Sequence, residues 1–458
     1  MDAVKGAWRL PLLTMMMMLA GVALCCGAAT AKVSPEEAAK LGGTLTPIGA
    51  EAAGNAAGSI PEWKPLEQAQ MQRGDNPYAN EKPLYTITRA NLAQYENLLS
   101  EGHRQLFKTF DDYKMPVYPT HRNASYPAWF YEATKKNATA VELSDSGYGF
   151  CCAAAGYPFP IPKNGTEVMW NHIMRYNTRG FRGYVNSAIT APSGDYVIER
   201  SYLELAYAYN DPKGTPEKLG NQNLYLFTKT VAPASKAGEA TLLHVPLDRI
   251  KEITGVWVYN QGQGRSRRIG EVGYDNPLQD GLMTHDQVDM FNGPLDRYTI
   301  KLIGKQEMLV PYNSYRLYSD RIKYKDIIKA GHINQDLARY ELHRVWVIEA
   351  NVKAGTSHRY KRRVFYLDED SWIVLAQDIY DERNQFWRTA ESHAINFANV
   401  PVVVNGVQVH YDLQSRRYVV INLTNEEKKT IEYDWWANAG YFSPNNIKRF
   451  ATSTANGR

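Results

Sequence analysis

Residues that could carry catalysis are scattered along this sequence. It contains no G-x-S-x-G, H-E-x-x-H or phosphate-binding glycine loop, and its ten histidines do not occur at metal-ligand spacing beside a carboxylate. The densest acidic run, Asp368-Glu369-Asp370, could seat a calcium ion, but such a run between two strands is more typical of a solvated hairpin tip. His343 and His172 are expected to make structural hydrogen bonds, His343 across to a neighbouring strand. The sequence therefore predicts no enzyme, no cofactor and no metal site.

Two other groups could react or bind charge, and each has a plain structural interpretation. Cys151 and Cys152 are adjacent, and because a disulfide between neighbours strains the peptide joining them, we expect two idle thiols in preference to a metal-binding or redox pair. Arg265, Arg267 and Arg268 are a candidate contact for anionic headgroups or an acidic partner, with a solvent-facing strand edge as the alternative. The formal net charge of +4 predicts no nucleic-acid partner.

Aromatic residues give a better indication of a binding function than any motif. The chain has 31 tyrosines and 10 tryptophans, many of them at strand spacing. Such rings can line a groove for a hydrophobic or amphipathic ligand, although aromatic residues also favour strands and pack within ordinary sheets. The candidate ligand-binding sheet positions are Trp257, Tyr259, Phe291, Tyr298, Trp346 and Trp372.

The first segment predicts export. Residues 1–31 contain a basic start, an apolar stretch that ends at Cys26, and the small-residue site Ala29-Thr30-Ala31. We expect a signal peptide cleaved after Ala31 and a mature protein in the periplasm, with no membrane span. A lipoprotein signal is the less favoured alternative, because Leu24 stands where a small residue is required.

Little regular structure is predicted for residues 32–165. Ser34-Pro35-Glu36-Glu37 predicts a short capped helix, and residues 43–83 predict a long irregular arm. Apolar residues at helical spacing from Thr88 to Phe110 predict a helix of about five turns. Six prolines then predict a crossing loop over residues 115–163.

The β-rich part of the chain is predicted over residues 166–458. A short helix is expected from Thr166 to Tyr176, and beyond residue 180 the alternation of apolar and polar residues predicts antiparallel strands. Asn405-Gly406 fits a two-residue hairpin turn. The predicted strands are 201–210, 223–231, 239–245, 255–260, 265–269, 297–304, 340–352, 358–367, 371–380, 385–397, 402–411 and 416–423.

A sheet of this size must curl, because strand twist accumulates from one strand to the next. The predicted fold class is therefore α+β, a large curved antiparallel sheet with a few covering helices and a long irregular N-terminal arm. Helices over the concave face would leave an apolar cavity between themselves and the sheet. We expect residues 32–458 to form one structural unit.

Several segments resemble a known protein family. The strand-turn-strand from Trp257 to Arg268 is similar to that of outer-membrane lipoprotein-sorting proteins, the LolA/LolB-like superfamily. The chain is identified as a member of one proteobacterial branch of that superfamily, domain of unknown function 1329 (DUF1329). The segments that carry this resemblance are Leu41–Gly49, Met115–His121, Phe159–Gly165, Val310–Tyr315, Tyr340–Trp346 and Phe365–Trp372.

The resemblance implies a LolA-like half-barrel in the Gram-negative envelope that handles a hydrophobic molecule near a resistance-nodulation-division (RND) type exporter. Together with the expected cavity, this predicts a non-enzymatic carrier of a lipid, acyl chain or lipoprotein-like cargo. Its candidate partners are an inner-membrane RND-type exporter and an outer-membrane protein. Two alternatives remain: an envelope adaptor would have a filled core and an exposed apolar patch, and a lipid or polyester hydrolase would have a polar catalytic triad in the cavity.

Overall fold

Among the described residues, one 16-stranded sheet, almost entirely antiparallel, dominates the fold, and two further short strands, Pro277–Leu278 and Met283–Thr284, pair only with each other. The structure is a computed structural model that describes residues 33–65, 75–270 and 272–453, so the predicted signal peptide lies outside the described residues. The described residues form one compact unit. The strands are β1 (Tyr85–Ile87), β2 (Met115–Val117), β3 (Gly180–Thr190), β4 (Tyr196–Tyr207), β5 (Gln222–Ala232), β6 (Glu239–Pro246), β7 (Gly255–Asn260), β8 (Arg265–Ile269), β9 (Pro277–Leu278), β10 (Met283–Thr284), β11 (Tyr298–Pro311), β12 (Tyr340–Val352), β13 (Arg362–Asp368), β14 (Val374–Tyr380), β15 (Phe386–Phe397), β16 (Val402–Asp412), β17 (Arg417–Leu423) and β18 (Glu432–Tyr433).

Eight short or medium α-helices accompany the sheet in the described ranges. They are α1 (Pro35–Ala38), α2 (Glu101–Thr109), α3 (Ala128–Ala140), α4 (Gly165–Ile173), α5 (Pro216–Leu219), α6 (Tyr315–Tyr318), α7 (Tyr324–Ile327) and α8 (Ile447–Thr452). The capping box predicted at Ser34 is confirmed, because its side chain accepts from Glu37 N and the Glu37 side chain accepts from Ser34 N.

The main sheet joins two runs of strands into one. Strands β11 to β17 pair antiparallel in chain order, and β17 then pairs with β3, which begins the second run from β3 to β8. Within the described residues β8 pairs only with β7, so the sheet is not closed. The predicted class, a large open antiparallel sheet with few helices, is confirmed.

One predicted turn is wrong. Asn405 and Gly406 lie inside β16, and the β15–β16 hairpin turns earlier, at residues 398–401. The pairing shifts register between His393 and Ile395, and a Cβ on Gly406 would come within 2.4 Å of the His393 carbonyl oxygen. Gly406 therefore permits a close approach of two backbones at a β-bulge, which is the other common reason for a glycine in a strand.

The predicted helix from Thr88 to Phe110 is also wrong in its extent. Only α2 is α-helical there, and two 3-10 turns, Leu92–Gln94 and Glu96–Leu98, precede it. Ser100 is extended and its hydroxyl accepts from His103 N at 3.0 Å. That cap starts the helix afresh, because a serine at this position satisfies a backbone donor that a continuous helix would bond internally.

Helix α3 lies inside the region predicted as a crossing loop. Pro127 precedes its first residue, so this proline marks the start of a helix, where no backbone N–H is needed. Thr134 and Asn137 are buried on its inner face, and Asn137 Nδ2 donates to the carbonyl of Tyr157 at 3.1 Å.

Cys151 and Cys152 form a disulfide, contrary to the expected free thiols. The backbone at Cys152 is left-handed, with a φ of 74°, so the chain is not extended at this residue.

The described residues form two large hydrophobic clusters, and the larger one lies on one part of the sheet. Strands β11 to β15, here called the packed half, lie against α3, α4 and the segments around them. Trp372, Phe365 and Leu375 are there completely buried. Strands β16, β17 and β3 to β6, here called the cavity half, are covered differently and contain the candidate functional site.

Candidate functional site

A cavity of about 350 Å³ lies against one face of the cavity half. Because alternate residues of a strand point to the same side, β3 to β6 each present apolar side chains to this space. Phe181, Leu205, Leu226 and Leu243 lie directly opposite one another across β3 to β6. The other apolar wall residues are Val185, Leu203, Leu224, Val245, Val404 and Ile421.

The opposite face of β4 to β6 is closed by the C-terminal segment. Phe227 packs its ring 5.3 Å from that of Phe442 and 4.8 Å from that of Phe450, on α8. The two faces of these strands therefore differ, since one meets side chains and the other meets open space. Apolar side chains beside open space favour an apolar occupant, because removing their surface from water lowers the free energy.

Two further segments and one strand line the cavity. The segments are residues 173–177 at the end of α4 and the loop of residues 285–292, here called the covering loop, and the strand is β18, which follows Ile431 and pairs with β3. In the loop, Asp289 and Met290 have successive left-handed φ values of 61° and 67°. Left-handed conformations cost energy for residues other than glycine, so such a pair must be held by its surroundings. The Asp289 carbonyl lies 3.1 Å from His172 Nε2.

Polar groups gather at the end of the cavity beside this loop. Arg175 donates to Asp289 Oδ1 and, at 2.9 Å, to the His172 carbonyl. Asn405 Nδ2 also donates to Asp289 Oδ1, at 2.5 Å. Among the described residues, Arg175 Nε has no acceptor and Gln408 Oε1 has no donor. The cavity is thus amphipathic, with leucine walls and a polar cluster at the end beside this loop; its other polar lining residues are Asn177, Asn223, Arg249, His285, Asn292 and Asn422.

The imidazole of His172 behind this end stays neutral. Burial, assisted by the positive charge of Arg175, lowers the pKa of His172 to about 3. In this neutral imidazole Nε2 donates to the Asp289 carbonyl at 3.1 Å, and Nδ1 accepts from Val374 N at 3.2 Å. As predicted, His172 makes structural hydrogen bonds, which here connect α4 to the β13–β14 hairpin and to the covering loop.

The acidic run Asp368-Glu369-Asp370 is buried, which contradicts the predicted solvated tip. Arg122 donates to both carboxylate oxygens of Asp370, at 2.7 and 2.8 Å, and to Glu369 at 3.2 Å. Arg122 also donates to the backbone carbonyl of Glu51 in the N-terminal arm. The hairpin tip is buried because the arm folds over it and supplies backbone acceptors for the same arginine.

His343 adjoins this cluster and, with Asp368 and Asp370, forms the one group of potential metal ligands found in the described ranges, with the ligand atoms within 4.8 Å of one another. Both oxygens of Asp370 are already bonded to Arg122, and His343 Nε2 bonds Glu341 at 3.2 Å. That bond joins two residues of β12 and is not the predicted cross-strand bond. Burial and the neighbouring Asp370 raise the pKa of Asp368 to about 6. We interpret the group as a buried ion-pair network that closes the packed half.

Of the six aromatic residues predicted as ligand contacts, Phe291 lines the cavity. The others lie elsewhere. Trp346 and Trp372 stack with ring centroids 6.0 Å apart in the packed half, and the Tyr298 hydroxyl meets Arg363 and Asp286. Trp257 and Tyr259 belong to the cluster beside α8.

Arg265, Arg267 and Arg268 lie exposed on β8, at the edge of the sheet, with Arg268 5.3 Å from the Trp257 ring. In the sheet order, β8 is separated from β17 by the five strands β3 to β7, and the three arginines are not among the residues that line the cavity. The wall leucines are not among the predicted site residues, although the alternation of Leu203, Leu205 and Tyr207 in β4 is a sequence signal that puts them on one face.

No helix in the described ranges has both the length and the apolar character needed to cross a bilayer. A family model described as "Protein of unknown function (DUF1329)" matches residues 86–448. The uncharacterised protein PA3922 of Pseudomonas aeruginosa is 45% identical over 423 residues, which cover 90% of this chain and 93% of that protein.

Two similar solved structures cover 62% of this chain. One is a DUF1329 family protein from Desulfovibrio piger, with 13% identity, a TM-score of 0.43 and 97% of its own length covered. The other is a LolA superfamily protein from Nitrosomonas europaea, with 12% identity, a TM-score of 0.37 and 98% of its length covered.

Proposed function

The chain belongs to the DUF1329 family, and we propose that it is a periplasmic, non-enzymatic carrier that binds a hydrophobic ligand in the cavity against β3 to β6, β16 and β17. The observation that carries this proposal is the leucine-rich wall, which meets open space instead of other side chains. A volume of about 350 Å³ falls at the lower end of ligand sites, which span roughly 300 to 1,000 Å³.

Burial of the ligand's apolar surface supplies the binding energy. Each methylene of an acyl chain that leaves water contributes about 0.8 kcal/mol, and loss of ligand and side-chain freedom offsets part of this sum. A single acyl chain can therefore bind usefully without any reacting group, which suits a carrier that must later release its cargo.

The composition of the cavity favours binding over hydrolysis. No serine, threonine, cysteine or lysine is found among the described residues that line it, and a hydrolase of the serine or cysteine type places its nucleophile at the substrate. An adaptor with a filled core is disfavoured by the cavity itself. The predicted signal peptide supports the periplasm as the site of action, with an RND-type exporter or an outer-membrane protein as the donor or acceptor of the ligand.

The proposal is tested by identifying and quantifying any molecule that copurifies with the protein. The chain is expressed with its own first segment, purified from the periplasm, extracted with organic solvent, and the extract is analysed by mass spectrometry. Leu226→Trp fills the centre of the apolar row, and Val197→Trp is the matched control, because Val197 is 59% exposed on the neighbouring strand β4.

We expect a lipid or other apolar molecule in stoichiometric amount with the wild-type protein and Val197→Trp, and its loss from Leu226→Trp at unchanged circular dichroism. Equal ligand content in all three proteins would place the binding site elsewhere. Extracts without ligand, followed by no uptake of added lipid, would refute the carrier function.

A further inference from the structure

We propose that the ligand is an amphiphile with one anionic headgroup, and that Arg175 receives this headgroup in place of Asp289. This inference rests on the carrier function proposed above and adds the chemical class of the ligand. The headgroup chemistry is a carboxylate or phosphate, attached to an apolar chain that follows the leucine rows.

Arg175 is a buried cation with unused binding capacity. Its side chain is 3% exposed, and its one anionic partner among the described residues is Asp289. Nε carries an N–H with no acceptor, although buried donors are nearly always paired. A guanidinium binds carboxylate and phosphate groups through parallel N–H donors. Arg175, which lines the cavity, therefore has a donor set that could receive an oxyanion once Asp289 moves away.

Asp289 occupies the place of such an oxyanion through a single oxygen. Both Arg175 and Asn405 donate to Oδ1, and the Asp289 side chain is 32% exposed. The residue belongs to the covering loop and has a left-handed φ, as does Met290 after it. A carboxylate on a strained, partly exposed loop can leave its partner more readily than one on a strand.

Exchange of one anion for another keeps Arg175 paired in the empty protein and in the protein with bound ligand. When the cavity is empty, Asp289 neutralises Arg175, so no buried charge is left alone. A ligand oxyanion that takes over the N–H groups of Arg175 and Asn405 keeps the charge balance and releases Asp289 towards solvent. A neutral headgroup cannot replace Asp289 without leaving the Arg175 charge unpaired.

The chain of the ligand then extends away from Arg175 along the wall. Leu205, Leu226 and Leu243 form a continuous apolar row across three neighbouring strands. A ligand with a charged head and a single chain matches this division of the cavity into a polar end and an apolar wall.

The test compares three probes that share one chain and differ in the headgroup: dodecanoate, dodecyl phosphate and dodecanol. Their dissociation constants are measured at pH 7.5 with purified mature protein that has been stripped of lipid on a hydrophobic resin. The variants are Arg175→Gln and Asp289→Asn, and Arg179→Gln is the control, because Arg179 lies on the surface and pairs with Asp434.

We expect the wild-type protein and Arg179→Gln to prefer at least one anionic probe over dodecanol by about tenfold, which corresponds to ~1.4 kcal/mol. Arg175→Gln should lose this preference. Asp289→Asn should bind that anionic probe about tenfold more tightly and dodecanol as before, because the competing carboxylate is gone. If Arg175→Gln does not fold, Asp289→Asn still decides the matter. The stronger anionic probe identifies the headgroup as a carboxylate or a phosphate.

Equal affinity for all three probes, with no change in Asp289→Asn, would overturn the headgroup inference and leave the carrier function standing. Absence of binding by every probe would instead count against both, because no hydrophobic ligand would then enter the cavity.

Discussion

The packed half and the cavity half are built from the same antiparallel hairpins, yet they bury their apolar residues differently. In the packed half, Leu375 and Phe365 have no exposed surface, because α3, α4 and the N-terminal arm fill the space beside the strands. In the cavity half, Leu203 and Leu226 remain half-buried. The difference shows that strand alternation decides which residues share a face, whereas the covering segments decide whether that face becomes core or binding wall.

The two halves also use charge differently. Arg122 is held in the packed half by two carboxylates and three backbone carbonyls, so its donors are consumed by the fold. Arg175 in the cavity half has one anionic partner and an unused N–H among the described residues. A saturated cation stabilises structure, and an unsaturated one beside a cavity is suited to binding.

Replacement of Arg122 by methionine should have the largest effect on stability. It leaves Asp370 and Glu369 buried without their cation, and breaking a buried pair in this way costs about 3–5 kcal/mol. Chemical denaturation followed by circular dichroism measures the change. Arg383→Met, at an exposed hairpin tip, should change the free energy of unfolding by less than about 0.5 kcal/mol. Similar values for both variants would mean that the buried network contributes little.

Truncation of one leucine in each half should destabilise the packed half more than the cavity half. Leu375→Ala opens a new cavity in filled core and should cost about 2–5 kcal/mol. Leu226→Ala only enlarges a space that already exists, so we expect a loss below about 2 kcal/mol in protein stripped of ligand. The same denaturation experiment measures both variants. Equal losses would contradict the distinction between a packed and an open face.

The packed half should also make the protein sensitive to acid. Burial lowers the pKa of His393, on β15, to about 4 from its ordinary value of 6.5. Between these pH values the unfolded chain binds a proton that the folded protein does not, so stability is fully present above pH 6.5 and declines as the pH falls towards 4. One such histidine contributes a slope of about 1.4 kcal/mol per pH unit.

His393→Leu should reduce that slope by the contribution of one proton. Unfolding free energies measured between pH 4.5 and 6 provide the comparison, and Val197→Leu on the exposed side of β4 is the control. An unchanged slope in His393→Leu would show that other groups carry the acid sensitivity.

Much of the sheet could be predicted because strand alternation is a local pattern. The predicted strands 239–245, 255–260 and 340–352 coincide with β6, β7 and β12 to within a residue. Helix α3 was missed, since its region contains prolines that break a helix in its interior but start one at its first turn. The burial of Asp368 to Asp370 was missed because Arg122 lies about 250 residues away in sequence, and only the folded arm brings it there.

The amino-acid sequence determines the strands, their alternating faces and the family, because each of these depends on neighbouring residues or on short motifs. The tertiary fold determines that the apolar face of the packed half is filled by other side chains, whereas that of the cavity half borders a cavity. It also pairs Arg175 with Asp289, from segments 114 residues apart. Both outcomes depend on which segments cover the strands, and side chains distant in sequence acquire shared chemistry only when packing encloses them in one low-dielectric space.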